Sequence, residues 1–304
     1  MSLRSRSAHV LGLCVALAAT VAIGRSASAQ DAAGQVGKPH HFLFMQYSPG
    51  NKIIELSADG KVLWEHPVPG LAVMFERLKN GNIIYAYGGT PTGVQIVNKD
   101  HKIVWDYRAK CEQVLGFARL PNGNVLVGEQ GPCQAVEVNA AGEEVRITPL
   151  TTQEKPAHRQ LRSIHKLKNG NLLCCHEADA TVREVEPDGK VVWEYPGCAN
   201  VFEASRLKNG NTLIATADRI IEVTKDKKIA WQFTSADAPE LELSWATGVQ
   251  QLKNGNLVVA NFSRGHENKG AHAFEITRDK KVVWQFTDHK LSTLVTMVHY
   301  LDEE

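Results

Sequence analysis

The chain has 304 residues, of which 43% are hydrophobic and 22% charged, with a formal net charge of +1. That length can bury a large core. The balanced charge excludes the concentrated basic footprint of a nucleic-acid binder.

The first 29 residues read as a secretory signal peptide. Arg4 and Arg6 give a basic start, "LGLCVALAATVAI" (11–23) an apolar stretch, and "SASAQ" (26–30) a cleavage site after Ala29. The apolar stretch is too short for a membrane span, and Leu13 before Cys14 does not fit a lipoprotein site. The mature chain is therefore expected outside the cytoplasm, secreted or periplasmic, with no membrane span. Losing Arg4, Arg6 and Arg25 takes its net charge to −2. Residues 30–40 read as a small-residue linker and 41–304 as a single domain.

Within that domain one phrase recurs: "RLKNGNIIYA" from Arg77, "RLPNGNVLVG" from Arg119, "KLKNGNLLCC" from Lys166, "RLKNGNTLIA" from Arg206 and "QLKNGNLVVA" from Gln251. Asn-Gly between apolar runs signals a hairpin, and the expected turn is the two-residue type I′. The glycines Gly81, Gly123, Gly170, Gly210 and Gly255 are 42, 47, 40 and 45 residues apart, the spacing of a four-strand repeat. A third strand follows with an apolar-Glu-apolar pattern ("AVEV", "VREV", "IIEV", "AFEI"). After a second tight turn comes a fourth strand, which supplies Trp64, Trp105, Trp193, Trp231 and Trp284; Arg146 stands where the third blade's aromatic would be. Four short antiparallel strands repeated in this way predict an all-β fold, a β-propeller. The tryptophans recur once per unit on the outer strand, which marks them as packing residues rather than a stacking platform for sugars or quinones.

The two ends settle the number of blades. The first copy begins at a second strand, "HFLFMQY" (41–47), and the last stops after a first strand, "VTMVHYL" (295–301). Pairing 294–301 beside 42–47 closes a six-bladed ring and removes both open edges.

Lysines sit at the Asn-Gly turns, one in most blades (Lys79, Lys168, Lys208, Lys253), as a solvated rim. Five cysteines remain after the signal peptide, and no CxxC zinc or redox motif occurs. Cys111 and Cys133 fall in loops on one face of one blade and are the expected disulfide. Cys174, Cys175 and Cys198 are not paired by the sequence. Three long loops, 148–162, 234–245 and 261–272, share the face opposite the tight turns, where repeat proteins place binding insertions. They carry or adjoin His158, His176, His266 and His272. Trp245 lies outside the repeat register, in a loop before a channel strand, and is the aromatic best placed for a ligand.

Aligning the first strands on Leu78, Leu120, Leu167, Leu207, Leu252 and Leu301 gives two alternating columns. Three residues earlier the column is apolar throughout. Two residues earlier it reads Glu76, Ala118, His165, Ser205, Gln250 and His299. A polar column on a central strand points to a wet channel, since dry burial would be costly. Glu203 joins it from two residues further back, four before the aligned leucine and nearer the mouth. The expected site is thus a funnel with His165, His299 and Glu76 as catalytic candidates and Glu76 orienting His299. Gln250, Glu203, Arg162, Trp245, Arg264 and His266 are ligand-binding candidates. The plainer alternative is a water-filled channel with structural histidines.

The unit "RLKNGNTLIATADRIIEVTKDKKIAWQF" (206–233) resembles the repeats of arylsulfotransferase-type and, more distantly, quinoprotein-type (PQQ-like) propellers. The first resemblance implies a channel histidine, His165 or His299, as a transiently sulfated nucleophile, with Arg162 or Arg264 as anion clamps. For pyrroloquinoline quinone no binding set can be placed, and Cys174-Cys175 stands alone, so no cofactor or metal is assigned. Three functions follow in order. The first is a propeller binding a small polar or carbohydrate-like ligand, or a protein partner, at its loop-rich face and funnel. The second is a transferase or lyase working through channel histidines. The third is a non-catalytic interaction scaffold.

Overall fold

The computed structural model describes residues 34–153 and 155–301. The expected signal peptide, its cleavage site and the start of the expected linker lie outside the described residues. A short strand β1 (Gln35–Gly37) is followed by β2 (Phe42–Ser48), β3 (Lys52–Leu56) and β4 (Val62–Pro67). Blade 2 comprises β5 (Leu71–Arg77), β6 (Ile83–Gly88), β7 (Gly93–Val97) and β8 (Ile103–Arg108). Blade 3 comprises β9 (Gln113–Arg119), β10 (Val125–Gln130), β11 (Gln134–Val138) and β12 (Glu144–Pro149). Blade 4 comprises β13 (Ile164–Lys166), β14 (Leu172–His176), β15 (Thr181–Val185) and β16 (Val191–Pro196). Blade 5 comprises β17 (Glu203–Arg206), β18 (Thr212–Ala215), β19 (Arg219–Val223) and β20 (Ile229–Thr234). Blade 6 comprises β21 (Ala246–Gln251), β22 (Leu257–Asn261), β23 (Ala273–Ile276) and β24 (Val282–Phe286), and the last strand is β25 (Leu294–Tyr300).

These strands form a six-bladed β-propeller. Strand β25 pairs antiparallel with β2, Phe42 opposite Tyr300 and Leu43 opposite His299, so blade 1 is ordered β25-β2-β3-β4 and the ring is closed as expected. Residues 35–37, expected within the linker, instead form β1, which pairs with β24 and gives blade 6 a fifth strand. Trp284 fixes it by donating to Gln35 Oε1 (2.7 Å).

The core is a set of apolar layers, one between each pair of neighbouring blades. Phe42, Phe44, Trp284 and Phe286 fill the layer between blades 6 and 1, and Leu43, Met45, Phe75 and Tyr85 the next one. Each blade thus buries both faces, which is why its second strand reads as a continuous apolar run.

The Asn-Gly hairpins differ from the type I′ expectation. Gly81 N–H donates to Leu78 O (2.8 Å) and Leu78 N–H to Asn82 O (2.8 Å). Only the glycine takes a positive φ, +84° at Gly81 and +88° at Gly210. That is a type I turn followed by a left-handed glycine, the three-residue hairpin with a bulge. The asparagines are needed for another reason. Asn209 and Asn211 both donate to Glu222 Oε1 (3.0 and 2.6 Å), and Asn169 and Asn171 to Glu184 (3.0 and 2.8 Å). The glutamate of the apolar-Glu-apolar pattern then takes a cation from the next blade: Arg278 on Glu222, Arg206 on Glu184. That cation lies over the outer tryptophan, Arg278 at 4.2 Å from Trp231 and Arg206 at 5.3 Å from Trp193. The indole N–H donates to the same neighbouring blade, Trp231 to Arg278 O and Trp193 to Lys225 O. The repeated phrase is therefore one half of an inter-blade clasp.

The expected Cys111–Cys133 disulfide is not present; all five described cysteines are free. Cys111 packs into the layer between blades 2 and 3, whereas Cys133 lies in the layer between blades 3 and 4. Their thiols are on opposite sides of one sheet. Burial pushes both thiols up, Cys111 to about 12 and Cys133 to about 11.

Candidate functional site

The inner strands β5, β9, β13, β17, β21 and β25 surround the axis. Each enters from the loop-rich face and leaves into a tight turn or, for β25, the chain end. Two cavities open along that axis, back to back. Residues on and just before the inner strands divide between them: Val73, Arg162, Phe202, Thr247 and Thr296 line the loop-face cavity, and Met74, His165, Glu203, Gly248 and Met297 the turn-face cavity. The waist is stitched by Thr247 Oγ1 donating to Thr296 O (2.8 Å) and Thr296 Oγ1 to Ala72 O (3.1 Å).

All six residues of the polar column line the turn-face cavity of about 560 Å³. The funnel exists, but it opens beneath the Asn-Gly turns, not under the long loops. Its best-formed contact is also not the expected one. His165 Nε2–H donates to Glu203 Oε1 (2.6 Å) across the blade 4–5 boundary. Burial disfavours the imidazolium, but Glu203, with help from Glu76, outweighs it and raises the His165 pKa. Glu76 accepts from Arg119 (3.4 Å) and lies in the field of both His299 and His165. Burial raises its pKa, and Arg119 and His299 oppose that. Gln250 lines the same cavity.

Arg162, Arg264 and Trp245 lie elsewhere, in the loop-face cavity of about 350 Å³. The pairing of His165 or His299 with these arginines, implied by the arylsulfotransferase resemblance, is not formed, because the waist separates them. The imidazole beside Arg162 is His158. His158 Nδ1–H donates to Gln113 Oε1 (2.8 Å), and its Nε2 accepts from Arg162 Nη2 (3.3 Å). Burial and then the charge of Arg162 lower the His158 pKa, with Arg159 and Arg264 adding to the effect, so the ring is neutral at pH 7.

Arg162 is 5% exposed. Its Nε donates to Glu177 Oε2, and Arg159 Nε donates to Glu177 Oε1 (2.7 Å). Arg159 Nη2 also holds Asn200 Oδ1 (3.2 Å). Arg159 is in a left-handed conformation (φ 99°), an uncommon state for a side chain with Cβ. It is fixed there by its own N–H donating to Gln130 Oε1 (3.2 Å). The Arg162 backbone fits only because of a glycine: a Cβ at Gly116 would lie 2.3 Å from Arg162 O. Beside the arginines stands an aromatic wall, with the Arg162 guanidinium 5.4 Å over the Phe202 ring. Trp245 packs edge-on to Phe202 and near-perpendicular to Phe262, and Phe262 packs on Tyr47. Trp245 Nε1 is held by Asn200 O (2.9 Å), which fixes the ring. Three arginines against the single carboxylate Glu177 leave this cavity with a net positive charge.

His266 does not join it. It is half exposed, 3.6 Å from Glu242, in a shallow surface pocket off the axis. His176 and His272 are fully buried, with pKa values pushed down by burial to about 4, and line neither axial cavity. The sequence reading left Glu177, Arg159, Asn200, Phe202, Phe262 and Tyr47 out of the site. Their one signal was position, at loop-face strand ends.

No protein-family model matches the chain, and no curated protein does. Among solved structures it is similar to a protein of unknown function from Bacteroides caccae, 26% identical, covering 86% of this chain and 98% of that one, with a TM-score of 0.76. It is also similar to a streptogramin B lyase (15% identity, 83% of each chain, TM-score 0.59). A catalytically inactive virginiamycin B lyase from Staphylococcus aureus with quinupristin is a further neighbour (11% identity, 85% of this chain and 89% of that one, TM-score 0.57). The two lyase similarities carry the fold alone.

Proposed function

We propose that this chain binds a small anionic ligand with an apolar body in its loop-face cavity. The observation that carries the reading is Arg162: a guanidinium 5% exposed, lining a cavity. Its Nε and Nη2 are engaged by Glu177 and His158, and Nη1 remains for a ligand. Buried charges need partners, and Glu177 neutralises only one of three arginines. A carboxylate, sulfate or phosphate would complete the set through charge-assisted hydrogen bonds, with its apolar portion against Phe202, Trp245 and Phe262.

The test is titration calorimetry with 4-bromobenzoate and, as its neutral counterpart, 4-bromobenzyl alcohol. At about 0.5 kcal/mol per non-hydrogen atom, a ten-atom probe should bind with a Kd of roughly 0.1–1 mM. The alcohol should bind at least about tenfold more weakly, and Arg264→Ser should remove much of the preference. Equal affinity for both probes would refute an anion site.

A second reading, a lyase or transferase, is favoured by one observation, the His165–Glu203 pair at 2.6 Å in the turn-face cavity. There a carboxylate orients an imidazole toward an open space, as an acid–base centre requires. His165→Gln would abolish such turnover while leaving binding in the loop-face cavity intact.

A further inference from the structure

A further hollow lies off the axis. It is a trough of about 610 Å³ on the turn face, between blades 4 and 5, and it shares His165, Ser205, Arg206, Leu207 and Lys208 with the turn-face cavity. It runs outward from the axis to Lys225 in the outer turn of blade 5, held against blade 4 by the Trp193 indole N–H on Lys225 O (3.0 Å). Its lining holds five Lys or Arg residues and one carboxylate, Glu184.

That carboxylate is already engaged by Arg206 (2.7 Å), Asn169 and Asn171. Lys166 is engaged by Glu137 (3.2 Å). Lys168, Lys208 and Lys225 are exposed and have no carboxylate among the described residues within ion-pair distance. Between them the floor is apolar, formed by the half-buried Leu167, which packs into the layer between blades 4 and 5, and by the near edge of Leu207, which packs toward the layer between blades 5 and 6.

We propose that this trough docks an extended acidic peptide segment of a partner protein. Three uncompensated lysines call for a polyanion. An apolar floor between basic walls selects a chain whose side chains alternate, acidic groups to the lysines and apolar groups to the floor, as an extended strand presents them. A phosphate or sulfated sugar polymer has nothing to place on Leu167 and Leu207. The trough crosses about three strand spacings, roughly 14 Å, which holds about four extended residues. The site is independent of the loop-face cavity, which lies beyond the waist.

The test uses the full mature chain and a fluorescein-labelled peptide of alternating Glu and Leu, six residues long, read by anisotropy at about 0.05 M salt, where surface charge is weakly screened. Lys168→Ser, Lys208→Ser and Lys225→Ser together should weaken binding at least about tenfold, each exposed pair contributing severalfold. A control triple on the same face, Lys61→Ser, Lys102→Ser and Lys281→Ser, should change it less than about twofold. Alternating Glu and Ser should bind more weakly than Glu and Leu. Equal losses in the two triples would overturn the proposal as a diffuse charge effect. So would absence of peptide binding, indifference to the leucines, or tighter binding of a heparin hexasaccharide through the same three lysines.

Discussion

Replacing Glu222 by alanine tests the inter-blade clasp. Glu222 is 5% exposed and accepts from Asn209 (3.0 Å), Asn211 (2.6 Å) and Arg278 of the next blade. A hydrogen bond to a charged group is worth about 1.5–3 kcal/mol. The three do not add, because the turn asparagines and Arg278 can reach water once released. We expect Glu222→Ala to cost about 3–4 kcal/mol. Glu222→Gln keeps one acceptor oxygen and should cost about half as much. The pH dependence supplies an internal check. Burial raises the Glu222 pKa, but Asn211, Asn209 and Arg278 together lower it below the ordinary carboxylate value. Its contribution is therefore present above the unfolded value of about 4.5 and lost as pH falls through the folded one. The gap between wild type and Glu222→Ala should be full at pH 7 and shrink on acidification. The assay is guanidinium denaturation at several pH values. A loss within about 0.5 kcal/mol at pH 7, the range of an ordinary surface change, would refute the clasp, as would a gap that does not depend on pH.

Further outcomes follow from the same structure. Deleting residues 292–304 removes β25, exposes the edge of β2 and should collapse the melting transition of the whole ring; an unchanged melting temperature would contradict closure. Denatured but unreduced mature protein should take up five equivalents of iodoacetamide, one per free cysteine, and two protected thiols would restore the Cys111–Cys133 bridge. His176 and His272 are held neutral by burial with pKa values of about 4, so the unfolded chain binds the extra protons between about pH 6.5 and 4. Stability should fall across that window as pH drops, by up to about 3 kcal/mol per histidine, and His272→Asn should flatten the profile if it folds. Expression with export should give a mature N-terminus at Gln30 by sequencing, and an intact Met1 would contradict the signal-peptide reading.

The blades were legible because the turn glycine, the alternating strands and the outer tryptophan each carry a local physical rule. Closure was legible because half a blade was left at each end. The meaning of the asparagines was not, since it depends on Glu222 and Glu184 lying across the sheet, with Arg278 and Arg206 arriving from the next blade. The six residues of the polar column do line one cavity, on the turn face rather than under the long loops. The His165–Glu203 contact was not legible, because Glu203 reaches His165 across a blade boundary that no within-strand alternation encodes. Arg162 and Arg264, implied by the arylsulfotransferase resemblance, and Trp245, chosen for its loop position, do share a cavity. Placing them with His165 failed, because Arg162 precedes the three-residue strand β13 on the loop side of the waist, while His165 within β13 faces the turn-face cavity. The cysteine expectation failed for a related reason: sharing a face of the ring does not mean sharing a side of the sheet.

The most direct measurement of the central claim is a crystal soaked with 4-bromobenzoate, with the bromine located by anomalous scattering. The account predicts one bromine peak against Phe202, Trp245 and Phe262, with the carboxylate within hydrogen-bond distance of Arg162. A bromine peak in the turn-face cavity beside His165, or none in the loop-face cavity at saturating concentration, would contradict it.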